Sequence, residues 1–200
     1  MSEVKLAIVG TAGRAKSNPI TPDLFQAMIE KAIVVIEDLV DRGMIVDCLV
    51  SGGAAGADHV AVNLFRNGYV RNLELHLPSA FVGADSIYCN SSTGNTANYL
   101  HRKFSRGFPN QSERYTLTQL GQAIISPGCI TTISDSFWTR NTKIAGSADA
   151  LLAMTFGEGA LVLPGGTWDT VKKFLRAHPD APTYHMDLNT GLCYRKARLG

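Results

Sequence analysis

Cysteine is sparse and scattered: Cys48, Cys89, Cys129 and Cys193 stand far apart, with no CxxC pair and no histidine at ligand spacing. That excludes the usual zinc-ligand patterns. In a chain of this length it reads as buried small apolar residues in a reducing compartment rather than a disulfide frame, and no metal is expected. A long apolar run is missing too: none approaches the roughly 20 residues needed to cross a bilayer. Met1-Ser2-Glu3-Val4-Lys5 lacks the basic, apolar, small-residue order of a signal peptide. No membrane partner is expected, and the expected location is the cytoplasm. Charge of one sign is also lacking, since 19 Lys and Arg against 17 Asp and Glu leave a formal +2. Such a balance weighs against a polyanion-binding surface and so against a nucleic-acid partner. There is no internal repeat and no low-complexity segment. What remains, 45% hydrophobic and 18% charged over 200 residues, is the composition of a globular chain with a substantial core, read here as a single domain over 1–200.

Short apolar runs alternate with amphipathic stretches. Residues 5–10 form a run ending at Gly10, as a buried parallel strand does. After a polar turn, Thr21-Pro22-Asp23 carries an N-cap, a first-turn proline and an acid against the dipole. Leu24, Met28, Ala32, Val35, Ile36 and Leu39 then repeat at helical spacing up to Gly43, which can supply a left-handed C-terminal cap. A second strand over 45–50, a helix carrying Val60, Ala61, Leu64 and Phe65, and a third strand over 73–78 complete a β-α-β-α-β order. Residues 79–136 break the rhythm, with two weak helical stretches at about 95–106 and 114–126, and read as an inserted subregion. Alternation returns with a helix from 137, a strand over 150–156, an apolar run at 161–163 that reads equally as strand or turn, a helix over 168–177 and a strand over 182–186. The basic end (Arg195, Lys196, Arg198) reads as a short tail. This order predicts an α/β fold with a mainly parallel central sheet.

Three turns follow apolar strands and carry glycine: Gly10-Thr11-Ala12-Gly13-Arg14, Ser51-Gly52-Gly53-Ala54-Ala55-Gly56-Ala57-Asp58 and Gly165-Gly166-Thr167. In a parallel sheet such turns share the carboxyl edge, where ligands bind near a topological switch point. Glycine lets backbone approach a phosphate, and the following helix offers unpaired amides. Gly53→Val is therefore expected to block binding and spare the fold. The candidate ligand-binding residues are Gly10, Thr11, Gly13, Arg14, Ser51, Gly52, Gly53, Gly56, Asp58, Arg140, Asn141, Gly165, Gly166 and Thr167. His59 reads as exposed helix surface, and Phe137 and Trp138 as core.

The second turn resembles the GGxxGAD signature of the SLOG superfamily, in its branch of small stand-alone proteins. Gly10-Thr11-Ala12-Gly13-Arg14 is similar to that branch's first-strand turn. Arg140-Asn141 followed by Ala148-Asp149-Ala150-Leu151-Leu152-Ala153 is similar to a later segment, and Pro164-Gly165-Gly166-Thr167 to its late GGT turn. The likeness covers 4–78 and 137–186. It implies a Rossmann-like three-layer fold and a nucleotide or nucleotide-derived ligand, with Arg140 and Asn141 among its contacts. It also brings an enzyme reading, since the related "Lonely Guy" phosphoribohydrolases split the N-glycosidic bond of nucleoside 5′-monophosphates. Their PGGxGTxxE motif is incomplete here: Pro164-Gly165-Gly166 runs into Thr167-Trp168-Asp169-Thr170-Val171-Lys172-Lys173, with no glutamate at the motif position.

Binding without turnover is thus the leading expectation, as a sensor or sequestering module that needs no cofactor. An N-glycosidase is the second reading, with Asp169 or Glu158 as the carboxylate that such chemistry requires. A third is a single-stranded nucleic-acid binder that uses His101, Arg102, Lys103, Phe104, Arg106 and Phe108 of the insertion. Apolar helices of the kind seen here also suit a homo-oligomer.

Overall fold

The structure is a computed structural model and describes residues 1–13, 17–83 and 85–200. In chain order the elements are β1 (Ser2–Gly10), α1 (Pro22–Asp41), β2 (Met44–Ser51), α2 (Asp58–Arg66), β3 (Asn72–Leu77), β4 (Phe81–Val82), β5 (Ile87–Tyr88), α3 (Ser92–Ser105) and α4 (Tyr115–Ile124). They continue with β6 (Cys129–Ile133), α5 (Phe137–Ser147), β7 (Ala150–Thr155), β8 (Leu161–Val162), α6 (Gly166–Ala177), β9 (Thr183–Asp187), β10 (Cys193–Arg195) and β11 (Arg198–Leu199).

Seven strands make one sheet in the order β10-β9-β7-β1-β2-β3-β6, parallel throughout except that β10 runs antiparallel to β9. Leu6 and Ile8 of β1 pack with the buried faces of α1 to α4, while Ala7 and Val9 pack with α5 and α6. The alternation sends successive side chains into two cores and gives a Rossmann-like three-layer α/β fold. Because both faces of β1, β2 and β7 are covered, their sequences are continuous apolar runs. The chain winds outward from β1 through β2 and β3 to β6, then returns across the sheet to β7 on the other side of β1. The β1/β7 boundary is therefore a topological switch point.

Local signals behave as the residues dictate. Thr21 caps α1 by accepting from the Leu24 amide at 3.2 Å, and Gly43 takes φ +80° just past the helix end. The stretch 79–136 divides. Its first part supplies the β4–β5 hairpin and two helices, α3 and α4, packed on the side of α2, whereas β6 joins the central sheet beside β3. Leu161–Val162 is a strand after all, paired with β11 in a separate two-stranded sheet. The basic end is not a loose tail, for β10 extends the main sheet and β11 holds β8. Among the described residues no helix is long and apolar enough to cross a membrane.

Candidate functional site: a pocket at the switch point

All three glycine turns open on one pocket of about 530 Å³ at the carboxyl ends of β1 and β7. The first turn lines it through Gly10 and Thr11, the second through Ala54, Ala55 and Asp58, and the third through Gly165, Gly166 and Thr167. Phe137 and Arg140 of α5, Ala97 and Leu100 of α3, and Phe156 and Leu163 after β7 supply the rest of the wall that matters here. The volume falls in the range of small-molecule and cofactor sites. Among the described residues no three His, Cys, Asp or Glu side chains cluster as metal ligands would.

The second turn faces inward. Asp58, the first residue of α2, is buried, and its Oδ1 accepts the Gly10 amide at 3.2 Å. Burial pushes its carboxyl above the usual carboxylate value; the Arg140 charge and the amides of Gly10, Ala54 and Gly52 act in the opposite direction and offset this only in part. Oδ2 stands 3.8 Å from Arg140 Nη1, and neither atom makes a hydrogen bond among the described residues. The Gly10 amide, expected to approach a ligand phosphate, is thus given to the chain's own carboxyl group. Ser51 is fully buried with its hydroxyl donated to the Asp58 carbonyl at 2.9 Å, so it does not meet the pocket.

Gly53 also lies outside the lining. It sits at φ +62°, and a Cβ there would come 2.6 Å from Leu77 Cδ2 and 3.1 Å from the Tyr88 hydroxyl. Its carbonyl accepts from that hydroxyl at 2.7 Å and from His101 Nε2 at 3.0 Å. Gly53→Val would therefore break packing rather than block a ligand, which corrects the sequence expectation. Gly56, at φ +76°, lies against the Thr11 carbonyl where a side chain would collide, closing the first turn onto the second. Gly52 is pressed against Asp58 and Arg140, and Gly13 donates to Thr11 Oγ1 at 3.2 Å; neither lines the pocket. Arg14 lies outside the described residues.

The third turn is the open one. Helix α6 begins at Gly166 with Gly165 as N-cap and no side-chain cap hydrogen bond. Among the described residues, a Cβ added at Gly165 or Gly166 would meet nothing within 4 Å. Unclaimed first-turn amides and a positive dipole end are what an anion needs. Beside this turn, Asn141 accepts from Arg140 Nη2 at 3.0 Å and donates to the Gly166 carbonyl and to Asp169 Oδ2, each at 3.2 Å. Asn141 is therefore a brace between α5 and α6 that orients Arg140 rather than a lining residue. Arg140 also lies 5.3 Å from the Phe137 ring centroid, within cation–π range.

Neither candidate carboxylate reaches the pocket. Asp169 is held by Lys173 Nζ at 2.8 Å as well as by Asn141. Glu158 is exposed in the loop before β8, where its backbone pairs with Leu161. Other expectations change as well. His59 is wholly buried, hydrogen-bonded through Nε2 to Gln119 at 2.8 Å, while Trp138 is 62% exposed. Phe104 and Phe108 pack edge-on around Phe25, and His101 is spent on Gly53, so the aromatic groups of the insertion that were candidates for base stacking belong to the core. The apolar wall from Ala97 and Leu100 went unread in the sequence, because it comes from a helix far along the chain.

Fold and pocket together define a Rossmann-like α/β protein with a ligand-sized cavity at its switch point. No family model matches the chain. It is 34% identical over 175 residues to "Uncharacterized protein R261" of Acanthamoeba polyphaga mimivirus, an alignment covering 86% of this chain and 92% of the viral protein. The chain belongs to the same family as that viral protein.

Proposed function

We propose that this protein binds a nucleotide or nucleotide-derived phosphate ligand at the β1/β7 switch point, as the SLOG resemblance implies, and acts as a sensor or sequestering module. The observation that carries the reading is the conjunction of an uncapped α6 N-terminus with Arg140 on the wall of one 530 Å³ pocket. The phosphate seat is the third turn, with Arg140 as its charged partner. The apolar wall of Phe137, Phe156 and Leu163 takes the base.

The test pairs a substitution into open space with one that removes the charged partner. Gly166→Val adds a side chain to open space and should abolish nucleotide binding in calorimetry with an unchanged melting temperature. Arg140→Ala should weaken binding by about 1.5–3 kcal/mol, the worth of a charge-assisted hydrogen bond. Full affinity in Gly166→Val moves the phosphate elsewhere.

The reading is of binding, not turnover. Glycosidic cleavage needs a carboxylate at the ribose, and a group misplaced by an ångström loses much of its effect. Asp169 and Glu158 lie off the pocket, and Asp58 is engaged by the Gly10 amide. Incubation with each common nucleoside monophosphate should release no free base detectable by chromatography. Release that disappears in Asp58→Asn, Asp169→Asn or Glu158→Gln reinstates the hydrolase.

A further inference from the structure

Away from the pocket, one face of α3 carries an arginine whose Nε–H makes no hydrogen bond among the described residues. Asn95, Tyr99, Arg102 and Arg106 fall on successive turns of the helix and, with Ile87 and Asn98, line a second cleft of about 330 Å³. Arg106 gives one nitrogen to Glu113 at 2.8 Å. Arg102 is part-buried, its Nε is closed off from solvent, and that N–H makes no hydrogen bond among the described residues. That N–H is as closed to a ligand as it is to water, so an anion in the cleft would meet the terminal N–H groups of the guanidinium. The surroundings are cationic as well, because Arg106, Arg102 and Arg114 together hold the Glu113 carboxyl below its ordinary value.

The floor of the cleft is fixed. Asn98 uses its amide both ways on the Tyr88 backbone, accepting from N at 2.9 Å and donating to O at 3.0 Å. The Tyr99 ring stands 63% exposed at the rim. Two guanidiniums one helical turn apart suit a tetrahedral group with several oxygens, whereas a carboxylate is satisfied by a single fork.

We propose that this cleft is a second, separate anion site, in which Arg102 and Arg106 grip the phosphoryl group of a small phosphate monoester and Tyr99 stacks on its planar part. The proposal does not depend on what the switch-point pocket holds.

Arginine side-chain Nε–H signals of the full chain, followed by NMR during titration with phenyl phosphate, test it directly. The Arg102 signal, assigned by its loss in Arg102→Lys, should move and saturate, and should do so equally in Arg140→Gln, where the switch-point pocket is impaired. Arg102→Gln and Arg106→Gln should each weaken phenyl phosphate binding at least about tenfold, as loss of a charge-assisted contact does. Phenyl phosphate should bind more tightly than inorganic phosphate, with Tyr99→Ala removing the difference. An Arg102 signal that stays fixed, or that responds equally to benzoate, overturns the proposal; so does a response lost in Arg140→Gln, which would place the anion in the other pocket.

Discussion

At the scale of single residues, the Gly53 carbonyl of the second turn is anchored twice. Tyr88 and His101 both donate to it from buried positions, and burial pushes the Tyr88 hydroxyl up, so that it remains a donor across the working pH range. Tyr88→Phe leaves the carbonyl with one donor and should lower the unfolding free energy by about 1–2 kcal/mol in urea titrations, the cost of a lost buried hydrogen bond. Gly53→Val should cost more, since it adds a clash and a strained φ to the same loop. A glycine that must face the protein and one that must face a ligand look alike in sequence. Gly53 and Gly166 both follow apolar strands, and the neighbours brought in by β3, β5 and α4 separate their roles.

Elements differ in how plainly they were written. Strands β1, β2 and β7 are buried on both faces, so their apolar runs were unmistakable, and α1 announced itself through Thr21, Pro22 and Gly43. Helices α3 and α4 gave a weak signal for a physical reason: their inward faces include Asn98, His101, Ser105, Thr116 and Gln119. These polar groups satisfy one another and the chain, as in the Ser105–Thr116 contact at 2.9 Å and the His101–Thr116 contact at 3.0 Å. A count of apolar periodicity does not register such a core. Strand β6 escaped because it is an edge, with Ile130 and Ile133 more than half exposed and threonines between them. The pocket was legible in outline, since glycine turns on one sheet edge follow from parallel topology. Its inner arrangement was not, because the direction in which Asp58 points is set by tertiary contacts.

For the molecule as a whole, buried histidines tie stability to pH. Burial holds His59 down at about 4 and His101 at about 3, and pushes His76 and His185 in the same direction. Unfolded histidine titrates near about 6.5. Above that value neither state is protonated and the full stability is present. As pH falls below it, the unfolded chain takes up protons that the folded chain refuses, and stability is lost at about 1.4 kcal/mol per pH unit for each such histidine until the folded values are reached. Asp58, raised rather than lowered, acts in the opposite sense and offsets part of the loss near its own folded value. The unfolding free energy at pH 5 should be about 3–4 kcal/mol below that at pH 7 from His59 and His101 alone. Urea titrations at the two pH values measure it, and His101→Gln should make the difference smaller. Equal stability at both would mean that these rings are not buried neutral.

The Asp58 carboxylate has a consequence for how a ligand is received. By taking the Gly10 amide from within, it ties the second turn to the end of β1 as a fixed jaw whose shape is set before anything arrives, so little ordering entropy remains to be lost there on association. At the opposite jaw, a side chain added to Gly165 or Gly166 would meet no described residue within 4 Å. Adjustment to ligands of different length therefore falls on that side alone: the fixed jaw selects, and the glycine jaw accommodates.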